Sequence, residues 1–250
     1  MKVAVVTPTI GSEHLNQCLE SVQNQTYENL THYIFLDGEE HYEKIHPVLY
    51  KNAGQRTIKT IQLEENIGKG WYGHRVYAAC SFLVNADVIC YLDEDNWLES
   101  NHIETIVSKL ESGYDWVYSF RNIHDKNGEF ICEDNCESLG KWPVYVNPSI
   151  YHIDTSTFGI RRSVALAIGH AWYGQWGADR QFFSALKKHF PKFDGTRQYT
   201  CNYRLDGNPK SVTKEFFIQG NQKTLEEYSG EYPWKKKQVL SVGPGITLID

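Results

Sequence analysis

Short apolar, β-branched runs alternate with amphipathic stretches through the first half of this chain. Val3–Val6 is a compact run that reads as a buried strand. Ser12 and Glu13 then open a segment in which Leu15, Cys18, Leu19 and Val22 recur at helical spacing. The same rhythm predicts a strand at His32–Leu36 closed by Asp37-Gly38, a helix over His41–Lys51 and a third strand at Thr57–Leu63. A helix over Gly70–Val84 follows, with Val76, Ala79, Cys80 and Leu83 on one face. Val88–Leu92, His102–Leu110 and Trp116–Phe120 then read as strand, helix and fifth strand. Such alternation predicts an α/β fold whose mostly parallel sheet is joined by right-handed helical crossovers.

The rhythm breaks after residue 120. Asn127-Gly128 marks a hairpin turn between Tyr118–His124 and Glu129–Cys132. Pro143 and Pro148 punctuate an irregular stretch, Tyr151–Ile160 reads as a strand, and Arg162–His170 and Ala178–Lys188 read as short helices. From Tyr199 onward periodicity is low, which predicts an irregular α+β end to the domain. Tyr203-Arg204 and Asn208 are candidates for a lid there. No repeat, low-complexity tract or linker interrupts the chain. A single domain over 1–250 is expected, divided into 1–120, 121–220 and a tail at 221–250.

Composition narrows the possibilities. With 250 residues, 41% of them apolar, a substantial core is available and wholesale disorder is excluded. A formal net charge of −6 argues against nucleic acid as a partner. The many Trp and Tyr rings suit either core packing or contact with sugars and bases. Six scattered cysteines, mostly in apolar segments, read as reduced thiols, and Cys132-x-x-x-Cys136 lacks a second pair for zinc. The apolar start Val3–Val6 is too short for a signal peptide, and no run reaches membrane-spanning length. A cytoplasmic protein is expected, with Lys235-Lys236-Lys237 allowing at most peripheral contact with an inner membrane face.

Ligands of open α/β sheets bind beyond the carboxyl ends of the strands. Thr7 and Thr9 follow strand one, Asp37 strand two, Glu64 to Asn66 strand three, and Asp93-Glu94-Asp95 strand four. Three adjacent acids resist ionising together unless a cation compensates them. An Asp-x-Asp turn brings two carboxylates within reach of one hard ion such as Mg²⁺ or Mn²⁺. Such an ion can hold and neutralise a departing diphosphate.

Taken together, Val5-Val6-Thr7-Pro8-Thr9-Ile10, Phe35-Leu36-Asp37-Gly38, Glu65-Asn66-Ile67-Gly68 leading to Arg75, and Tyr91-Leu92-Asp93-Glu94-Asp95 resemble family 2 glycosyltransferases. The resemblance covers residues 3–100 and extends through Trp176-Gly177-Ala178-Asp179. It implies a GT-A, Rossmann-like fold and an inverting transfer of sugar from a UDP- or GDP-linked donor to a glycan or lipid-linked acceptor. Surface polysaccharide or glycoconjugate synthesis is the setting it implies. Thr7, Pro8 and Thr9 would lie against the nucleoside, and Asp37 would bond the base or ribose. Asn66, Gly68 and Arg75 would border the diphosphate, and Asp93 and Glu94 would join the donor site. Asp95 would bind Mn²⁺ or Mg²⁺, with His152 as a further ligand. Asp179 would be the base that deprotonates the acceptor, although Ala178 stands where the family often has Glu. His152 and Asp154 would share a strand face, and Arg161-Arg162 could meet phosphate bidentately.

Other readings remain at the level of sequence. Gly68-x-Gly70-x-x-Gly73 has dinucleotide-binding spacing and Asp93 lies twenty residues beyond it, as an NAD(P)- or flavin-dependent oxidoreductase would require. Polar Glu64-Glu65-Asn66, however, separates these glycines from their strand. A nucleotidyltransferase would need a basic Gly-rich loop where Thr7–Ser12 stands. A non-catalytic carbohydrate-binding domain of the same fold is the third alternative.

Overall fold

The apolar runs of the first half become the parallel part of a nine-stranded sheet in a computed structural model, which describes residues 1–54, 56–205 and 212–236. β1 (Val3–Thr9) pairs with β2 (Leu30–Asp37) on one side and β4 (Val88–Tyr91) on the other, and β3 (Thr57–Leu63) extends beyond β2. Every residue of β2 is buried, whereas the edge strand β3 is largely exposed. Alternate residues of β1 face opposite sides. Val3 and Val5 pack with Cys18 and Val22 of α1 (Leu15–Gln23) and with Ile103, Ile106 and Leu110 of α4 (His102–Glu111). Ala4 and Val6 pack with Val76, Tyr77 and Cys80 of α3 (His74–Leu83) on the other face. α2 (Tyr42–Lys51) covers β2 through Ile45 and Leu49. α3 begins later than its periodicity suggests, because Gly70, Tyr72 and Gly73 all adopt left-handed φ.

Beyond β4 the sheet is mixed. Its order is β3-β2-β1-β4-β8-β6-β9-β5, with β7 (Phe130–Glu133) on β6 (Trp116–His124). The expected fifth parallel strand, β6, points the same way as β4 but does not pair with it. β8 (Phe158–Arg161) lies between them, antiparallel to both. Gly159 permits this close packing, since a Cβ there would meet Ile106 Cγ2 at 2.2 Å. The Asn127-Gly128 hairpin forms as expected. α5 (Arg162–Ile168) and α6 (Ala178–His189) follow β8.

Several expectations for the second half are corrected. The strand at Tyr151–Ile160 begins only at Phe158; a 3-10 turn at Thr155–Thr157 precedes it, capped by Asp154. His152 and Asp154 therefore share no strand face. Tyr203 and Arg204 are fixed in β9 (Phe193–Arg204) against Ile123 and His124 rather than in a lid, and Asn208 lies outside the described residues. Arg161 donates to the carbonyls of Tyr114 and Leu110, and Arg162 to that of Ser81. These arginines satisfy chain carbonyls at helix ends and beyond instead of meeting phosphate. The stretch expected to be irregular from Tyr199 onward holds the end of β9 and then α7 (Lys214–Glu227), started by the Thr213 cap. Lys235 pairs with Glu133, Lys236 pairs with Glu231, and Lys237 lies outside the described residues. All six cysteines are free. No helix among the described residues is long and apolar enough to cross a membrane.

Candidate active site

A cavity of about 770 Å³ opens at the carboxyl ends of β1, β2 and β4. Pro8, Thr9, Asp37, Asn66, Gly68, Asp93, Glu94 and Asp95 line it, so most of the expected donor residues converge there. A shallower depression beside it is walled by Glu39, Glu40, Glu43, Glu64 and Glu65, a surface that repels phosphate.

β4 ends in a turn closed by the Asn96 N–H on the Asp93 carbonyl at 3.1 Å. The Tyr77 hydroxyl donates to Asp93 Oδ1 at 2.7 Å and Ser156 Oγ to Oδ2 at 3.2 Å. Burial, and then the charges of Asp95 and Asp154, push the Asp93 pKa up to about 8 in spite of those hydroxyls. Asp95 rises to about 6, through burial first and then Glu94 and Asp154, with Arg204 opposing. These are groups that a divalent cation would relieve. Among the described residues no three His, Cys, Asp or Glu side chains are gathered to hold a metal unaided. Two carboxylates suffice for Mg²⁺ or Mn²⁺ when phosphate oxygens and water complete the shell, so the pair fits such an ion.

The neighbouring acids act on the chain itself. Glu94 accepts the Thr9 hydroxyl (2.5 Å) and the Ser12 N–H (2.7 Å) on Oε2, and the Ile10 N–H (3.2 Å) on Oε1. It thereby ties the β1–α1 loop to the acidic turn. Asp37 brackets the loop after β3, taking the Ile67 and Gly68 N–H groups at 2.9 Å each. A Cβ on Gly68 would lie 2.4 Å from Asp37 Oδ2, so this position requires glycine. Asn66 reaches His41 Nε2 at 3.4 Å, and its Oδ1 is buried without a partner among the described residues.

Two expected donor residues sit elsewhere. Thr7 points into the core, 2.9 Å from His32 Nε2, where burial lowers the His32 pKa to about 3. Arg75 lines neither cavity; its guanidinium lies 3.7 Å over the Trp71 ring and 5.2 Å from that of Tyr173.

A second cavity, of about 330 Å³, meets the first at Tyr72, His74, Asp93, Thr155 and Tyr203. Its own wall includes Arg121, Glu137, His152, Asp154, Trp176, Asp179 and Arg180. Asp179 occupies the first turn of α6, after Gly177 turns the chain at φ +83°. Its Oδ1 accepts the Arg180 N–H at 2.8 Å, and its Oδ2 lies 3.6 Å from His152 Nε2. His152 thus faces the candidate base in the second cavity, whereas Asp95 lines the first. Burial lowers the His74 pKa, with the charge of Asp179 opposing.

Apart from Asp154, one cluster on that wall lies outside the residues expected from the sequence. Buried Arg121 donates through Nε to Asp134 (2.8 Å), through Nη1 to Asp154 (2.6 Å) and through Nη2 to Glu137 (2.5 Å). These partners lie 13, 33 and 16 residues away, beyond any local pattern. An arginine inside the apolar run Trp116–Ile123 was the available signal. Burial would raise the Asp134 pKa, but Arg121 and the N–H groups of Cys136 and Ser138 hold it below the usual carboxylate range.

The Gly68–Gly73 loop does not serve as a dinucleotide-binding turn. Asp37 already takes the Gly68 N–H, and ten residues (64–73) separate β3 from α3. The architecture is instead that of a GT-A-like glycosyltransferase. The S. aureus TarS structure of residues 1–349 superposes with a TM-score of 0.65 at 13% identity, covering 91% of this chain and 72% of TarS 1–349. The same TarS fragment in complex with UDP-GlcNAc gives 0.61 at 13% identity, covering 91% and 66%. Residues 4–185 match glycosyl transferase family 2, and the chain belongs to that family. Among curated proteins, glycosyltransferase GlyA of Streptococcus pneumoniae serotype 4 is 25% identical over 122 residues, spanning 44% of this chain but 15% of GlyA. An uncharacterized Haemophilus influenzae protein is 29% identical over 104 residues, 34% of this chain and 70% of that protein.

Proposed function

We propose that the chain transfers a sugar from a nucleoside diphosphate donor to an acceptor hydroxyl, with inversion at the anomeric carbon. One observation carries this reading: two cavities meet at Asp93, with the acidic turn in the first and Asp179 in the second. Donor and acceptor would occupy one each. The UDP and UDP-GlcNAc complexes of the TarS fold support a nucleotide sugar in the first. Asp93 and Asp95 would hold Mn²⁺ or Mg²⁺, which when bound neutralises the diphosphate as it leaves.

The protein's own residues account for the rest. Glu94 and Asp37 hold the two loops that form the floor of the donor cavity, so a nucleotide meets a shaped site. Asp179 accepts the proton of the acceptor hydroxyl. That oxygen bonds to the anomeric carbon while the bond from this carbon to the diphosphate oxygen breaks, its electron pair leaving with the diphosphate. A single base with no second nucleophile assigned corresponds to direct displacement. A thermal-shift screen of UDP, GDP, their sugars and NAD, each with and without Mn²⁺, tests the reading. Stabilisation by one nucleoside diphosphate together with the metal supports it; stabilisation by NAD alone rejects it.

A further inference from the structure

We propose that the acceptor is an uncharged sugar, with its ring on Trp176 and its hydroxyls on Glu137 and Asp154 in the second cavity. This inference rests on the transferase reading and names the class of its acceptor.

Two large rings stand at the mouth of that cavity in water: Trp176 is 68% exposed and Tyr72 65%. A pyranose offers a face of C–H bonds that covers such a ring, while its hydroxyls point outward to polar groups. The Arg180 guanidinium lies 5.0 Å from the Trp176 ring and covers one side, and the exposure leaves the remainder open. The turn at Gly177 sets Trp176 at the rim and Asp179 in the wall, so a sugar stacked on the indole presents a hydroxyl towards the base.

Charge selects against anionic acceptors. Arg121 is shared among three carboxylates and Arg180 is drawn over the Trp176 ring, so Asp134, Glu137, Asp154 and Asp179 outnumber the two guanidiniums around this wall. Glu137 binds it through Oε2, and Oε1 has no partner among the described residues. Asp154 is held by Arg121 on one oxygen and the Ser156 N–H on the other, so its remaining lone pairs are fixed in direction. Carboxylates immobilised in this way accept hydrogen bonds from hydroxyls and repel phosphates. Beside them His152, 5% exposed, turns Nε2 towards Asp179 and carries a buried Nδ1 with no partner among the described residues. A polyol phosphate would meet Glu137, Asp154 and Asp179, with Arg180 alone of the two lining arginines left to face it.

The test uses the full chain with Mn²⁺ and the nucleoside diphosphate sugar that stabilises it. Offered acceptors are methyl glycosides of glucose, galactose and N-acetylglucosamine, ribitol 5-phosphate, and a serine peptide. Transfer to a glycoside is expected. Trp176→Ala should raise the acceptor KM at least tenfold without changing donor Kd by calorimetry, and Trp176→Phe should recover most of the loss. Glu137→Gln should raise the same KM severalfold. Saturable quenching of tryptophan fluorescence by the accepting glycoside, lost in Trp176→Ala, is the second readout. Preference for the phosphate or the peptide overturns the inference while leaving the transferase reading standing. So do glycosides that neither accept sugar nor quench the donor-loaded protein, or an unchanged KM in Trp176→Ala. A wild-type protein that binds no donor instead contradicts the transferase reading before any acceptor is added.

Discussion

Asp93 ionises reluctantly because it is buried beside two further carboxylates, Asp95 and Asp154. This has a consequence for stability in the absence of metal. The unfolded chain releases this proton near pH 4, the native protein near 8. Between those values the native state binds more protons than the unfolded state, so stability falls as pH rises through the window. Asp93→Asn carries no such proton. Its stability relative to the parent should climb from pH 5 to 8, by at most ~1.4 kcal/mol per pH unit. Thermal melts in chelator measure this, and a pH-independent difference would contradict the burial argument. Asp179 makes the complementary case. Asp179→Asn should lower kcat by about 10²–10⁴ with donor Kd unchanged, the range general-base catalysis supplies. Loss of donor binding instead would show that Asp179 belongs to the first cavity.

At the scale of elements, the loops that line the first cavity are held by Glu94 and Asp37. Gly68→Ala places a methyl 2.4 Å from Asp37 Oδ2 and 3.1 Å from Gly73 Cα, so the Asp37 bracket must open. We expect donor affinity to fall at least tenfold and stability by about 1–3 kcal/mol; calorimetry and melting check both. The elements of the first half were legible because each apolar run sits on one parallel strand, with its helix's stripe facing it. Of two elements of the second half, the place and start of β8 were not legible, and α7 was missed. β8 is only four residues long, and its position between β4 and β6 depends on Gly159 leaving room for Ile106 of α4 against the sheet. The periodicity of α7 is hidden by Gly220, which is glycine because a side chain would strike Cys136 Sγ and Tyr145 at 2.6 Å. At the first cavity, strand-end position accounts for the presence of Pro8, Asn66 and Asp93 in the lining. Thr7 instead faces the core, because side-chain direction alternates along β1, and Arg75 lies against the Trp71 and Tyr173 rings.

Across the whole molecule, one sheet carries both halves of the site, and the Arg121 cluster joins β6 to the segments around Asp134, Glu137 and Asp154. Arg121→Met would leave three buried carboxylates without their cation, costing about 3–5 kcal/mol. Part of that stability should return at pH 5, where the abandoned acids can protonate; a variant as stable as the parent at pH 8 would show that the pairs contribute little. The central claim concerns the place where donor and cation meet. A crystal of the protein grown with Mn²⁺ and the stabilising nucleoside diphosphate, measured at the manganese edge, tests it directly. An anomalous peak at the carboxylates of Asp93 and Asp95 beside the nucleotide is expected, and none in Asp95→Ala. A nucleotide bound elsewhere, or one bound in this cavity with no manganese at these aspartates, would contradict it.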